Sequence, residues 1–184
     1  MRAIASVFTL LIGVAIILSG IGLLGTLLGV RGQLEGFSPT VLGLVMSGYF
    51  AGFVIGTRWI PRLIRQVGHI RVFATLASLA SIATLLHGLY VTPVLWFVLR
   101  LASGVCIVGL YIAIESWLNE RASNEERGSI FSAYMTTTLI GLGIGQVLLM
   151  AGPADNLELF ALASVLLSLG LVSVALTEVK EPPI

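Results

Sequence analysis

Hydrophobic residues run along this chain in long stretches that no charge interrupts, and short charged clusters separate the stretches. Ala3 to Val30 carries no charged side chain, and neither do Gly36 to Thr57, Gly128 to Ala154 or Leu159 to Thr177. A bilayer core of about 30 Å is crossed by roughly 20 apolar helical residues, because only a helix satisfies its own backbone polar groups in hydrocarbon. The uncharged stretch from Val72 to Leu99 is too long for one such helix, and Thr92-Pro93 divides it, since proline disfavours helix in the residue before it. The pattern therefore predicts six helices, at residues 4–30, 41–60, 72–91, 94–118, 129–150 and 158–177. The first follows a single Arg2 and lacks the short apolar core and small-residue cleavage pattern of a secretory signal, so it reads as a retained span.

Composition agrees with an all-α membrane protein. The chain is 57% hydrophobic and 10% charged with mean hydropathy +1.05, far from the one-quarter charged make-up of soluble domains. A net charge of +1 supplies no concentrated basic face for nucleic acid. Cys106 is the only cysteine, which leaves no disulfide framework, and it reads as a small apolar residue within helix four. His69 and His87 have no second histidine, cysteine or acid at ligand spacing, so neither a metal nor another cofactor is expected.

Basic residues near helix ends orient a membrane protein, with the excess on the cytoplasmic side. With the N-terminus inside, Arg2, the second turn (Arg58, Arg62, Arg65, Arg71), the fourth turn (Arg121, Arg127) and Lys180 all face the cytoplasm, while only Arg31 faces out. Six helices return the C-terminus to the same side. The expected location is a bacterial inner membrane, with membrane lipids as surroundings and both termini cytoplasmic. The turns Arg31 to Thr40, Thr92-Pro93 and Ala151 to Leu157 then lie outside and are too short for a receptor domain. Trp59 and Trp117 near the inner surface and Trp96 near the outer one read as interfacial anchors.

Small residues at four-residue spacing let helix backbones approach closely in lipid. Gly48, Gly52 and Gly56 form such a face on helix two, Gly25 and Gly29 on helix one, and Gly141 and Gly145 on helix five. Phe73-Ala74-Thr75-Leu76-Ala77-Ser78 in helix three echoes Phe160-Ala161-Leu162-Ala163-Ser164 in helix six, and the same 87-residue shift lays helix one on four and two on five. Three helices repeated once have opposite membrane orientation, a construction found in secondary transporters. The expected organisation is one bundle of six transmembrane helices as two inverted three-helix repeats, 1–91 and 92–177, with 178–184 beginning a cytoplasmic linker.

On three segments the chain resembles the N-terminal half of a major facilitator superfamily transporter, over essentially all 184 residues. Gly48 to Arg71, GYFAGFVIGTRWIPRLIRQVGHIR, resembles the end of helix two and the basic turn before helix three. Arg100-Leu-Ala-Ser-Gly104 looks like the family's arginine motif, with glycine four residues after arginine. Gly141-Leu-Gly-Ile-Gly145 lies in helix five, where drug-antiporter members carry a glycine-rich motif. There are departures. With Gly68 on the loop motif's glycine, the family's acid becomes Arg65 and its flanking basic positions become Gln66, His69 and Ile70, and helix five lacks the Gly-Pro pair. Glu115-Ser-Trp-Leu-Asn119 is similar to a bacterial branch of the superfamily. The resemblance implies half of a major facilitator fold, with Arg58, Arg62, Arg65, Gly68, His69 and Arg71 as its conformational-switch loop.

Arg100 is the sharpest single residue, because a charge inside a span is expensive and faces a cavity or a partner unless it snorkels to the surface. The resemblance gives it a part in proton coupling or substrate handling. Helix one has no acid to pair with it, so hydroxyls and backbone carbonyls are the local options. Glu115 lies about 22 Å further along the helix and reads either as an interfacial carboxylate held by Arg58 or Arg62 or as a protonatable coupling site. Gln146 and Thr136-Thr137-Thr138 are polar groups of helix five suited to a pore lining or to interhelical hydrogen bonds. Gly48, Gly52, Gly56, Gly104, Gly141 and Gly145 are expected at helix contacts.

The expected function is secondary active, ion-coupled movement of a small solute by alternating access, with no enzymatic activity. Such a machine needs a second six-helix half, from the same chain repeated or from a separate one, facing helices two and five. The competing readings are a truncated fragment, a non-transporting membrane scaffold, and an intramembrane serine protease. The last lacks a histidine on helix six to activate Ser103.

Overall fold

A computed structural model describes residues 2–175, with the side chains of 7–120 and 122–172. The side chains of Arg2 and Arg121, Lys180 and the linker expected at 178–184 lie outside the described residues. The described chain is helical: α1 (Arg2–Leu34), α2 (Pro39–Val67), α3 (His69–Leu89), α4 (Pro93–Arg121), α5 (Arg127–Leu148) and α6 (Glu158–Ala175), with one 3-10 turn (Leu149–Ala151) after α5. Five of them, α1 to α5, are long and apolar enough to cross a membrane. α6 is the shortest, at 18 residues.

Helix ends follow local chemistry, and two fall elsewhere than the charge pattern predicts. α1 continues through Arg31 to Leu34, where an Arg31–Glu35 ion pair of 2.7 Å, one turn apart, closes its last turn before Gly36 reverses the chain at φ 75°. Ser38 then caps α2, its hydroxyl accepting from Val41 N–H at 3.3 Å with Pro39 in the first turn. The expected basic turn between residues 60 and 72 is helix instead. Pro61 lacks only one backbone donor, and α2 runs past it to Val67, so Arg58, Arg62 and Arg65 lie on an exposed helical face. The turn shrinks to Gly68, whose φ of 91° and ψ of 158° are open to glycine alone, while its N–H donates to Ile64 O at 2.8 Å.

The helices pack in a fixed set of pairs: α2 on α4, α1 on α5, α1 and α4 on α6 and α3 respectively, and α3 on α6. All six buried residues of α2, Val45, Gly48, Gly52, Gly56, Ile60 and Ile64, fall on one stripe against α4. Gly48, Gly52 and Gly104 leave no room for a methyl group, since one would meet the backbone carbonyls of Phe97, Leu101 and Tyr49 respectively. Gly141 and Gly145 do the same for α5, against Ala15 O and Ser19 O of α1, and Gly22 answers them from α1 against Leu142 O. The predicted glycine faces of helices two and five are therefore packing faces. Gly25 and Gly29 are not, because nothing lies within 4 Å of a side chain placed there.

Two apolar clusters fill the bundle. One gathers Leu10, Val14, Phe73, Leu110, Trp117 and their neighbours, the other Leu23, Leu27, Trp96, Phe160 and theirs. Trp96 and Trp117 are 0% and 1% exposed, so the interfacial-anchor reading is corrected for both. Trp96 turns inward because the end of α3 leaves carbonyls without helical partners. Its Nε1–H donates to His87 O at 3.0 Å and Tyr90 O at 3.1 Å. Trp117 packs against Phe73 in a tilted ring pair with centres 5.2 Å apart. Trp59 alone of the three is exposed, at 65%.

Burial is uneven. Only 22% of the apolar span of α2 and 17% of that of α5 are buried, against 67% for α1 and 61% for α4. Phe50, Val54 and Trp59 on α2 and Leu139, Ile144 and Val147 on α5 stand uncovered.

Candidate functional site

Arg100 lies seven residues into α4, about 10 Å along its axis. The close approach that Gly52 and Gly104 permit brings α2 against this turn, and Tyr49, next to Gly48, then sits with its ring face 4.4 Å from the guanidinium carbon. A cation over an aromatic face is worth about 0.5–2 kcal/mol, rising with desolvation. Hydroxyls and carbonyls were the partners expected for Arg100; the partner found is an aromatic ring, and Nε is buried with no hydrogen bond. The ion pair among the described residues is Arg31–Glu35, so no carboxylate of this set neutralises Arg100.

Behind Arg100 a small cavity of about 20 Å³ sits where α1, α2, α3, α4 and α6 converge, with Thr84 and Ser103 on its wall. Ser103 is one helical turn from Arg100, 3% exposed and without a hydrogen-bond partner. Thr84 donates to Ala80 O at 2.8 Å. Nearer the end of α3, His87 is fully buried, its Nδ1 2.6 Å from Ala83 O and its ring 5.9 Å from that of Trp96.

Glu115 occupies a second, open cleft of about 400 Å³, in which Phe53 comes from α2, Tyr111 and Glu115 from α4, and Tyr134 and Thr138 from α5. The Tyr134 hydroxyl donates to Glu115 Oε1 at 3.5 Å, a long contact. Arg58 and Arg62 make no ion pair with Glu115, so the partner of this carboxylate is a phenol on α5 and not the basic stretch of α2. Arg100 and Glu115 belong to separate cavities.

Gln146 ties α5 to α1. Its Nε2 donates to Gly22 O at 3.0 Å and its Oε1 accepts from Thr26 at 2.6 Å, the interhelical use anticipated for it. Thr136 and Thr138 donate back to Ser132 O and Tyr134 O within their own helix. Arg58, Arg62, Arg65 and Arg71 are exposed, while Gly68 and His69 are buried at the α2–α3 junction. Sequence reasoning missed Tyr49, Thr84 and Tyr134, and weighed Ser103 only as a protease nucleophile, not as a neighbour of Arg100. Ser103 was within reach, since a residue three after Arg100 shares its helical face; Tyr49 and Tyr134 come from other helices and carry no local signal. No group of three histidine, cysteine or acidic side chains able to hold a metal occurs among the described residues.

Comparison with known proteins gives one consistent result. The family model described as Major Facilitator Superfamily matches residues 4–184. The chain is 31% identical over 145 residues to an uncharacterized MFS-type transporter of Yersinia pestis (strain Pestoides F), covering 78% of this chain and 37% of the relative. It is 28% identical over 149 residues to one of Enterobacter sp. (strain 638), covering 81% and 39%, and 28% identical over 174 residues to one of Escherichia fergusonii, covering 94% and 45%. The chain thus spans less than half the length of these relatives. No solved structure matches it.

Proposed function

Because this chain belongs to the Major Facilitator Superfamily, and is thereby a multi-pass membrane protein of transporter kin, we propose that it forms one six-helix half of a secondary transporter working by alternating access. The observation that carries the reading is the uneven burial. α2 and α5 keep far more of their apolar spans uncovered than α1, α3 and α4 do, as a half awaiting its counterpart would. That counterpart seats against α2 and α5, and the solute passes between the halves.

The bundle is two inverted three-helix repeats, 1–91 and 92–177. The pairing supports this: α2 on α4 has its counterpart in α5 on α1, and α3 on α4 in α6 on α1. Ser81 and Ser168, 87 residues apart, touch through their hydroxyls at 2.9 Å, as equivalent residues do where a two-fold axis passes between them. Both termini face the cytoplasm, following the arginines of α2 and the turn after α4. The exposed Arg58, Arg62 and Arg65 and the glycine hinge at Gly68 form the conformational-switch segment.

In this machine Glu115 is the proton- or solute-binding group, because it stands in an open cleft with a phenol and no cation to neutralise it. Arg100 holds charge in the core and couples the helices that converge on it. Gln146 fixes α5 to α1 beside the path. Ser103 has no hydrogen bond to any histidine, which weighs against serine protease chemistry.

The test is transport by the intact assembly in proteoliposomes, loaded with a mixed panel of sugars, organic acids, peptides and amines and read by mass spectrometry under an imposed pH gradient. The expected result is gradient-driven accumulation of a subset of solutes, abolished in Arg100→Ala and uncoupled from pH in Glu115→Gln, with both variants inserting normally. Accumulation no greater than in protein-free vesicles, in either gradient direction, overturns the transporter reading. Unchanged transport in the variants removes these residues from it.

A further inference from the structure

The cavity behind Arg100 has chemistry that a proton or solute path does not require. Two hydrogen-bond donors face it without an acceptor: the Nε–H of Arg100 and the hydroxyl of Ser103, itself 3% exposed. The third polar group, Thr84, has its hydrogen engaged with Ala80 O and adds no free donor. The remaining wall is the Tyr49 ring and aliphatic side chains of α1, α3, α4 and α6, and no carboxylate is among them. The ring covers one face of the guanidinium and compensates part of its charge, but the edge carrying Nε is left with nothing negative opposite it. Arg100 is half-buried, and drawing a cation even partly out of water without a counter-charge is unfavourable.

We propose that this cavity binds a single small anion of the size of chloride, held between Arg100 and Ser103. The volume, about 20 Å³, has room for a single small species and none for a polyatomic anion. A water molecule would accept both hydrogen bonds but would leave the guanidinium charge unmatched. A halide accepts both and neutralises it, and its apolar surroundings strengthen the attraction. Both donors belong to α4, so the anion sits on that helix at the point where α1, α2, α3 and α6 meet it. The site is separate from the Glu115 cleft, and its occupancy is read without any transport assay.

The purified chain in nanodiscs is titrated with radiolabelled chloride at constant ionic strength, gluconate replacing chloride. Saturable binding of one ion, displaced by bromide but not by gluconate, is expected. Ser103→Ala removes one donor from a small, buried position and lowers chloride affinity about tenfold or more. Arg100→Gln abolishes binding; should that variant fail to fold, Ser103→Ala, checked by circular dichroism, decides alone. Absence of saturable chloride binding to the folded wild-type chain, or equal affinity in Ser103→Ala, overturns the proposal and leaves the cavity to water.

Discussion

Adding one methyl group at Gly52 tests the way this bundle is joined. A Cβ there meets the carbonyl of Leu101, with that residue's carbonyl carbon at 2.8 Å and its Cα at 3.1 Å. These are backbone atoms of a rigid helix, so no side chain can swing aside. α2 and α4 must separate by roughly 1 Å to restore ordinary carbon–carbon contact of about 3.5–4 Å. Overpacking of this kind costs about 1–3 kcal/mol. Parting the helices also draws the Tyr49 ring away from Arg100, forfeiting part of about 0.5–2 kcal/mol. Against this stands about 1 kcal/mol from the better helix propensity of alanine. Gly25→Ala is the control, because it has the same propensity gain and nothing within 4 Å to strike. Reversible denaturant unfolding in mixed micelles is expected to rank Gly25→Ala at or above wild type and Gly52→Ala about 2–3 kcal/mol below Gly25→Ala. Equal stability of the two variants would refute the claim that backbone contact at Gly52 joins α2 to α4.

Three further outcomes follow from particular contacts. Trp96→Phe keeps a ring beside Phe37 and His87 but strips the indole donor from His87 O and leaves Tyr90 O with Thr92 N–H alone; the same unfolding assay should show a loss of about 1–2 kcal/mol, and no loss would mean that His87 O finds another partner. Gly68→Ala forces a side chain into φ 91° and should cost about 1–3 kcal/mol, with hydrogen exchange rising first at the α2–α3 junction. Gln146→Leu removes both polar ties between α5 and α1, at about 0.6 kcal/mol each in a membrane, and a loss much beyond about 1 kcal/mol would show that Gln146 does more than join two helices.

The number of helices and nearly all of their cores were legible in the sequence, because long uncharged runs are a signal that composition alone preserves. The end of α2 was not. Charge clusters mark turns in most membrane chains, yet here Arg58, Arg62 and Arg65 ride on an exposed helical face and only Gly68, through its positive φ, breaks the helix. The glycine stripes of α2 and α5 were legible as packing faces, while the pair in α1 misled. Spacing is identical in both cases, and only the position of the neighbouring helix separates a contact from an open face. Trp96 and Trp117 were read by residue preference, which gives way when orphan carbonyls and a neighbouring aromatic ring compete for the indole. Arg100 and Glu115 could be picked out because a charge in an apolar run is conspicuous. Their partners, Tyr49 and Tyr134, sit 51 and 19 residues away in sequence and enter only through the packing of α2 and α5 on their neighbours.

The glycine contacts also decide where the molecule yields under load. Where α2 meets α4 and α5 meets α1, backbone rests on backbone, and such joints have almost no compliance. α4 and α5, by contrast, barely touch, and the gap between them is the cleft that holds Glu115. Any relative movement of the two joined pairs is therefore taken up along that seam, where Glu115 stands, sooner than at the glycine joints on either side of it.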